Sequence, residues 1–245
     1  MKYNRKVRTI IVTAAVNVEL SLLVRDTGAA KISFKGMPAL HEWNSRGKKV
    51  YFAETGLGKV NAAVNSAALV REFSPDILIS TGCAGAYTAS GLSVGDIAAA
   101  SSEIYGDEGV LTPSGWQSLE YMGFPLAVAK GERYFNEIPL SPSMTEKAVA
   151  LAETLGVPLR VGKFVTVSTC SGTAARGADL SRRFGALCES MEGAAAAHVA
   201  LVHGLDCLEI RGISNMVEDR DLSRWDIAGA VTNAQRFIRA FVEEL

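Results

Sequence analysis

Short apolar segments suited to strands alternate with segments of helical period along almost the whole chain, and no low-complexity stretch separates them. Residues 8–15, 31–34, 49–54, 77–80, 97–104, 160–167, 186–189 and 207–213 read as strands. Residues 18–25, 59–73, 142–155, 174–184, 192–203 and 225–244 read as helices. In the helix over 59–73, Val60, Ala63, Val64, Ala67 and Val70 share one face. For the helix over 142–155, Ser141 or Ser143 can serve as the cap. Such alternation predicts an α/β sheet covered on both faces, in one domain spanning 1–245. With 245 residues, 48% of them hydrophobic, the chain has material for that core. Residues 105–140 break the rhythm: they are rich in Gly and Pro and carry Tyr105, Trp116, Tyr121, Phe124, Tyr134 and Phe135. That many aromatics mark a packed excursion, not a linker.

A formal net charge of −1 argues against nucleic acid or an anionic membrane as the main partner. The one basic cluster, Lys2, Arg5, Lys6 and Arg8, is too charged and its apolar run too short for a secretory signal. No run approaches the roughly 20 apolar residues that span a bilayer, so a cytoplasmic address is expected. Cys83, Cys170, Cys188 and Cys207 form no CxxC pair and read as reduced thiols. His198 and His203 stand five apart, not the three or four of a helical ligand pair, and neither a metal nor a cofactor is expected.

Ligands of α/β folds gather at the carboxyl ends of strands, and this chain places chemistry there. The first strand leads into Ala14-Ala15-Val16-Asn17-Val18-Glu19. The strand at 77 leads into Thr81-Gly82-Cys83-Ala84-Gly85, which looks like a glycine loop, and that at 160 into Ser168-Thr169-Cys170-Ser171-Gly172-Thr173. Residues 186–189 run into Ser190-Met191-Glu192-Gly193, and the last strand supplies Arg211, Ser214 and Asn215 before a polar turn. Taken singly, each has a structural reading. Glu192 suits a first helical turn, Glu19 a solvated helix, and Asn215 a turn. Arg211 is harder to dismiss, because a guanidinium in an apolar strand needs a partner. Gly56-Leu57-Gly58-Lys59 lacks the third glycine of a nucleotide fingerprint.

In order, AAVNVEL (14–20), TGLGKVNAA (55–63), SPDILISTGCAGA (74–86), LSVGDIAAASSEIYGD (92–107), ESMEGAAAAHVA (189–200) and RGISN (211–215) resemble the purine nucleoside phosphorylase and nucleosidase superfamily. The 5′-methylthioadenosine/S-adenosylhomocysteine nucleosidases are its nearest large branch. Residues 102–126 are most similar to the futalosine hydrolases of menaquinone biosynthesis. The resemblance implies a three-layer α/β/α fold with a central twisted mixed sheet, a small-molecule nucleoside substrate, and a homodimer or higher homo-oligomer. It implies that Glu19 activates the attacking water, that Glu192, after Met191, binds the ribose hydroxyls, and that Arg211 stands beside the water and Glu192. It places Asn215 at the purine, where adenine-specific members carry Asp. Cys83, Ala84 and Gly85, and Cys170, Ser171, Gly172 and Thr173, then line the substrate. Two departures stand out: Cys83 replaces a Ser, and 169–173 lacks the family's stacking Phe.

The chemistry suits these residue types. Breaking an N-glycosidic bond builds positive charge on the sugar and negative charge on the purine, and a carboxylate can meet the first while taking a proton from water. Hypoxanthine presents acceptors at O6 and N7, which an amide NH₂ matches and a carboxylate does not. The excursion would hold the 5′ substituent, with Lys130 and Arg133 as the cations at hand. Two other outcomes remain open at this point, a phosphate-dependent phosphorylase acting on inosine and a non-catalytic purine sensor. Against the first, no Gly-Asp-Pro-x-Arg stretch follows the first strand, and Glu19 would repel phosphate.

Overall fold

The computed structural model describes residues 8–245; residues 1–7, with Lys2, Arg5 and Lys6 of the basic cluster, lie outside the described residues. The strands are β1 (Thr9–Ala14), β2 (Ala30–Ile32), β3 (Ala39–Ser45), β4 (Lys48–Glu54), β5 (Ile77–Tyr87), β6 (Ile97–Tyr105), β7 (Val110–Thr112), β8 (Gly115–Gln117), β9 (Ala127–Ala129), β10 (Glu132–Tyr134), β11 (Glu137–Pro139), β12 (Leu159–Thr166), β13 (Ala186–Ser190) and β14 (Asp206–Val217). The helices are α1 (Ser21–Thr27), α2 (Lys59–Phe73), α3 (Leu119–Met122), α4 (Pro142–Leu155), α5 (Ala174–Phe184), α6 (Gly193–His203) and α7 (Ile227–Glu244).

Alternation along β1 shows how one sheet feeds two cores. Ile10 and Val12 pack with Leu23, Met144, Phe237, Ile238 and Phe241, under α1, α4 and α7. Ile11, one residue out of phase, packs with Leu69, Ala194, Ala197 and Ala200, under α2 and α6. The expected mixed sheet with helices on both faces is present, in the order β11-β6-β12-β13-β5-β1-β4-β3-β2. It also closes on itself, because β14 pairs parallel to β5 and antiparallel to β6. Together β5, β13, β12, β6 and β14 form a ring, and β1, β4, β3 and β2 extend from it as an open wing.

Three expectations change. Residues 81–86 are not a glycine loop: β5 continues through them to Tyr87, paired with β14 throughout. Ser214 and Asn215 are not a polar corner either, because β14 runs to Val217 with a register shift between Ile213 and Asn215. Such a bulge re-aims the side chains beyond it without ending the strand. On α2 the buried residues are Ala62, Ser66, Leu69 and Val70, while Val60 and Val64 stand 76% and 63% exposed. Leu69 draws its own face inward against the sheet; of the expected stripe Val70 is buried with it, Ala63 and Ala67 are half-buried, and Val60 and Val64 face out.

The excursion consists of two small hairpins, β7–β8 and β9–β10, around α3, and it returns as β11 against β6. Asn136 fastens its base, donating to the carbonyls of Tyr105 (2.9 Å) and Glu108 (2.8 Å) and accepting from the Leu119 N–H (2.8 Å). At the start of α4, Ser141 stands at the cap position, but its hydroxyl accepts from the Cys207 N–H at 2.9 Å. Among the described residues no helix is long and apolar enough to cross a membrane.

Candidate active site

The site grows from the carboxyl end of β1. Just past it, Glu19 is buried and folds back on the chain. Its Oε2 accepts from the N–H groups of Ala15 (3.0 Å) and Val16 (3.3 Å), and its Oε1 from that of Cys83 on β5 (2.9 Å). The 3₁₀ turn Asn17–Glu19 makes this reach possible. Glu19 is therefore not a solvated helix residue. Burial, and then the nearby Glu19 charge, push the Cys83 thiol up to about 12, so it stands neutral there.

Glu192 occupies the N-cap position of α6 and is buried, though its side chain does not cap the helix. Its Oε1 accepts from the Gly58 N–H at 2.8 Å, and Oε2 lies 3.8 Å from Arg211 Nη1. The Gly56-Leu57-Gly58 turn, with φ of 87° and 88° at its glycines, thus serves a carboxylate of the chain. Burial raises the Glu192 carboxyl above its ordinary range, and the Arg211 charge opposes that rise.

Arg211 is the largest fully buried side chain in the chain's described part. Nε donates to Glu209 Oε1 at 2.7 Å, Nη2 to Ser80 Oγ at 3.2 Å, and Nη1 to the Cys83 carbonyl at 3.4 Å. The need for a partner, visible in the sequence, is met first by Glu209, two residues earlier on the same strand face. Carboxylates on three sides raise the Arg211 pKa despite its burial.

Asn215 lies at the β14 bulge beside Gly85. Its Nδ2 donates to the Met216 carbonyl at 3.1 Å, and its Oδ1 accepts from Ser214 Oγ at 2.8 Å. A backbone carbonyl can only accept, so it fixes which end of the amide is NH₂ and leaves a second N–H free for a ligand. Gly85 makes room, since a Cβ there would come within 3.1 Å of Asn215 Nδ2.

The segment after β12 closes one side. Ser171 donates from N and Oγ to Glu189, both at 2.7 Å, and Tyr87 donates to the same carboxylate at 3.2 Å. Thr173 caps α5, and the Ala174 N–H donates to Asp219 at 3.1 Å, which ties this segment to the turn after Asn215. Cys170 is exposed and feels the charges of Glu189, Glu192 and Arg220. Gly172 lies between these anchors, and Met191 is half-buried before Glu192. The charges after Asn215 serve the turn: Glu218 pairs with Arg224, Arg220 lies over Trp225, and Asp221 caps the next 3₁₀ turn.

The structure thus brings Glu19, Cys83, Glu192 and Arg211 to one spot. Asn215, Ala84 and Gly85 lie further along the same β5–β14 ladder, and Ser171 joins them through Glu189, which pairs with Gly85. Arg133 is engaged elsewhere, with the Gly123 carbonyl and the Phe135 ring. Sequence reasoning missed Glu209, Glu103 and Glu189. An acid at i−2 from a buried Arg was the available signal for Glu209. Gly82 sits at the centre: with φ of 147°, a Cβ there would lie 2.5 Å from Glu19 Oε1 and 2.7 Å from Arg211 Nη1. Gly82→Ala is expected to cost about 1–3 kcal/mol through overpacking and to displace Glu19. Urea denaturation together with turnover measurement checks both effects.

The phosphorylase superfamily matches residues 9–244. The chain is 35% identical to the futalosine hydrolase of Thermus thermophilus over 91% of this chain and 95% of that one. It is 31% identical to the futalosine hydrolase of Streptomyces coelicolor over 91% and 90%. The crystal structure of 5′-methylthioadenosine/S-adenosylhomocysteine nucleosidase from Neisseria meningitidis, in complex with methylthio-immucillin-A, superposes with a TM-score of 0.83 at 25% identity, over 97% of this chain and 100% of that one.

Proposed function

The chain belongs to the phosphorylase superfamily, and on that premise we propose that it is an N-glycosyl hydrolase that cleaves futalosine to hypoxanthine and dehypoxanthine futalosine. Two futalosine hydrolases aligned over about nine-tenths of the chain support the substrate. One geometric observation carries the reaction type. The N–H groups of Ala15, Val16 and Cys83, a set of donors fit to cradle an anion, already hold the Glu19 carboxylate. Phosphate would meet a buried negative charge there, whereas water would meet a base.

In this reading a water molecule gives its proton to Glu19 as its oxygen attacks C1′ of the ribose. The C1′–N9 bond breaks, its electron pair leaves with the purine, and the purine takes up a proton from solvent. Glu19 returns the proton it took from water to solvent, which leaves the balance neutral. Glu192 accepts from the 2′ and 3′ hydroxyls, and those hydrogen bonds strengthen as the sugar turns cationic. Arg211 holds the carboxylates in place and offsets their mutual repulsion. The Asn215 N–H donates toward O6 and N7 and stabilises the charge that gathers there.

A place in menaquinone biosynthesis, in the cytoplasm, follows from that substrate. A homo-oligomer fits the apolar groove between α2 and α6, which Ala63, Val64, Ala67, Val199 and Val202 line. Chromatography of the purine released from futalosine in phosphate-free buffer tests the reading, with inosine and 5′-methylthioadenosine alongside. Hypoxanthine from futalosine, without added phosphate, is the expected result. Turnover of inosine that starts only when phosphate is added would replace hydrolysis with phosphorolysis.

A further inference from the structure

Beneath Arg211 lies a second pair of acids that the reaction above does not use. Glu103 on β6 and Glu209 on β14 are both fully buried. Glu103 Oε2 accepts from Thr166 Oγ1 at 2.7 Å, and Thr166 Oγ1 in turn accepts from the Ala194 N–H at 2.8 Å, in the first turn of α6. Glu209 Oε1 accepts from Arg211 Nε at 2.7 Å. The other oxygen of each acid, Glu103 Oε1 and Glu209 Oε2, is buried and meets no hydrogen-bond donor as long as both groups are ionised. Both lie against the same point, the position that a Cβ on Gly193 would take. Two buried, unsatisfied carboxylate oxygens in one small space are satisfied together by a single proton.

Geometry also says which acid carries it. Arg211 donates directly to Glu209, at 2.7 Å, and so favours the charge there most, whereas the donor to Glu103 is the Thr166 hydroxyl. We propose that Glu103 is a neutral carboxylic acid donating its proton to Glu209, and that this buried pair is the positioning element that holds the Arg211 guanidinium against Glu192. A row of alternating character results, from the Glu103 acid through the Glu209 carboxylate and Arg211 to the Glu192 carboxylate. Gly193 is part of the device, since any side chain there would displace both acids.

Burial first, and then the Glu209 charge, raise the Glu103 pKa well above the ordinary range. The other titratable groups that sense the pair are Tyr87 on β5, Tyr105 on β6, Cys188 on β13 and Cys207 on β14. Each is pushed up by its own burial, so each stays neutral at neutral pH. Arg211, and Glu192 beyond it, complete the set. Because the folded state holds a proton that the unfolded chain releases, stability is full below the ordinary carboxyl pKa and falls as pH rises toward the raised one.

The role in turnover rests on the nucleosidase reading; the protonation state does not. Infrared spectra of the free protein at about pH 8, where ordinary carboxyls are ionised, are expected to show one carboxylic-acid C=O band that Glu103→Gln removes. The melting temperature of the unmodified chain is expected to fall relative to E103Q by about 3 °C per pH unit above the ordinary carboxyl range. In the turnover assay, Glu103→Leu, which offers no donor, is expected to lower kcat about tenfold or more with KM little changed. E103Q, whose amide still donates to Glu209, is expected to restore most of that loss. No band, or a band that survives E103Q and vanishes in Glu192→Gln, overturns the protonation. An E103L kcat equal to that of the unmodified chain overturns the positioning role.

Discussion

Glu19→Gln is expected to lower kcat for futalosine by about 10³-fold, with KM within a few-fold of the original. A positioned general base contributes roughly 10²–10⁴ in rate, and the amide cannot take the proton from water. Binding changes little, because in the proposed pose Glu192 and Asn215 hold the sugar and base. Stability also falls. The carboxylate accepts from three backbone N–H groups, two on Oε2 and one on Oε1. Glutamine offers one accepting oxygen, so its NH₂ must face at least one of those N–H donors, a buried mismatch of roughly 1–3 kcal/mol. Steady-state kinetics beside urea titration separates the two losses, since a protein that is folded at assay temperature yet inactive has lost chemistry. A variant that keeps more than a tenth of the original kcat would remove Glu19 from the role of base.

How far the site could be read in advance depended on the kind of signal each residue leaves. Strand ends and a guanidinium in an apolar strand mark Glu19, Glu192 and Arg211 as candidates in a linear pattern, but only the family resemblance groups the two acids with the arginine in one site. A guanidinium in an apolar strand needs a partner; the resemblance points to Glu192, 3.8 Å away, whereas Glu209 lies nearer at 2.7 Å. Period two puts residues 209 and 211 on one face, so the nearer partner was two letters upstream. Glu103 left no such trace: its partner belongs to a strand 106 residues later, and the β6–β14 pairing that joins them is tertiary. The two misread strand ends have one cause. Gly82, Gly85, Ser214 and Asn215 look like turn formers, yet β5 and β14 pair along their whole length, and the hydrogen-bond ladder overrides local preference. The stripe on α2 failed differently. Periodicity shows that a helix has apolar faces without saying which one meets the sheet, and Val60 and Val64 lie on the face turned outward.

Asn215→Asp is expected to reverse the base preference, lowering kcat/KM for futalosine by about 10²-fold while admitting 5′-methylthioadenosine. The argument starts from the amide's fixed orientation. Met216 O holds the NH₂ end at 3.1 Å and Ser214 Oγ–H meets the carbonyl end at 2.8 Å, so the remaining N–H serves acceptors such as O6 and N7 of hypoxanthine. An ionised Asp would set oxygen against the Met216 carbonyl and against both purine acceptors. Each buried mismatch costs roughly 1–3 kcal/mol, which accounts for the fall on futalosine. Adenine reverses the sum, because its 6-amino group donates to a carboxyl oxygen. Burial and the Met216 carbonyl also favour the protonated Asp, which can donate to N7 as the bond breaks. The sign of the pH effect follows: the acid form is populated below its raised pKa, so N215D should cleave adenine nucleosides best at lower pH and lose that activity as pH rises. The unmodified chain has no such group at this position and should show no matching alkaline fall on futalosine. Parallel kcat/KM profiles against pH for both substrates decide the matter. An unchanged ratio between the two substrates would mean that Asn215 does not read the base, and the preference for a 6-oxopurine would have to be sought in residues 170–173.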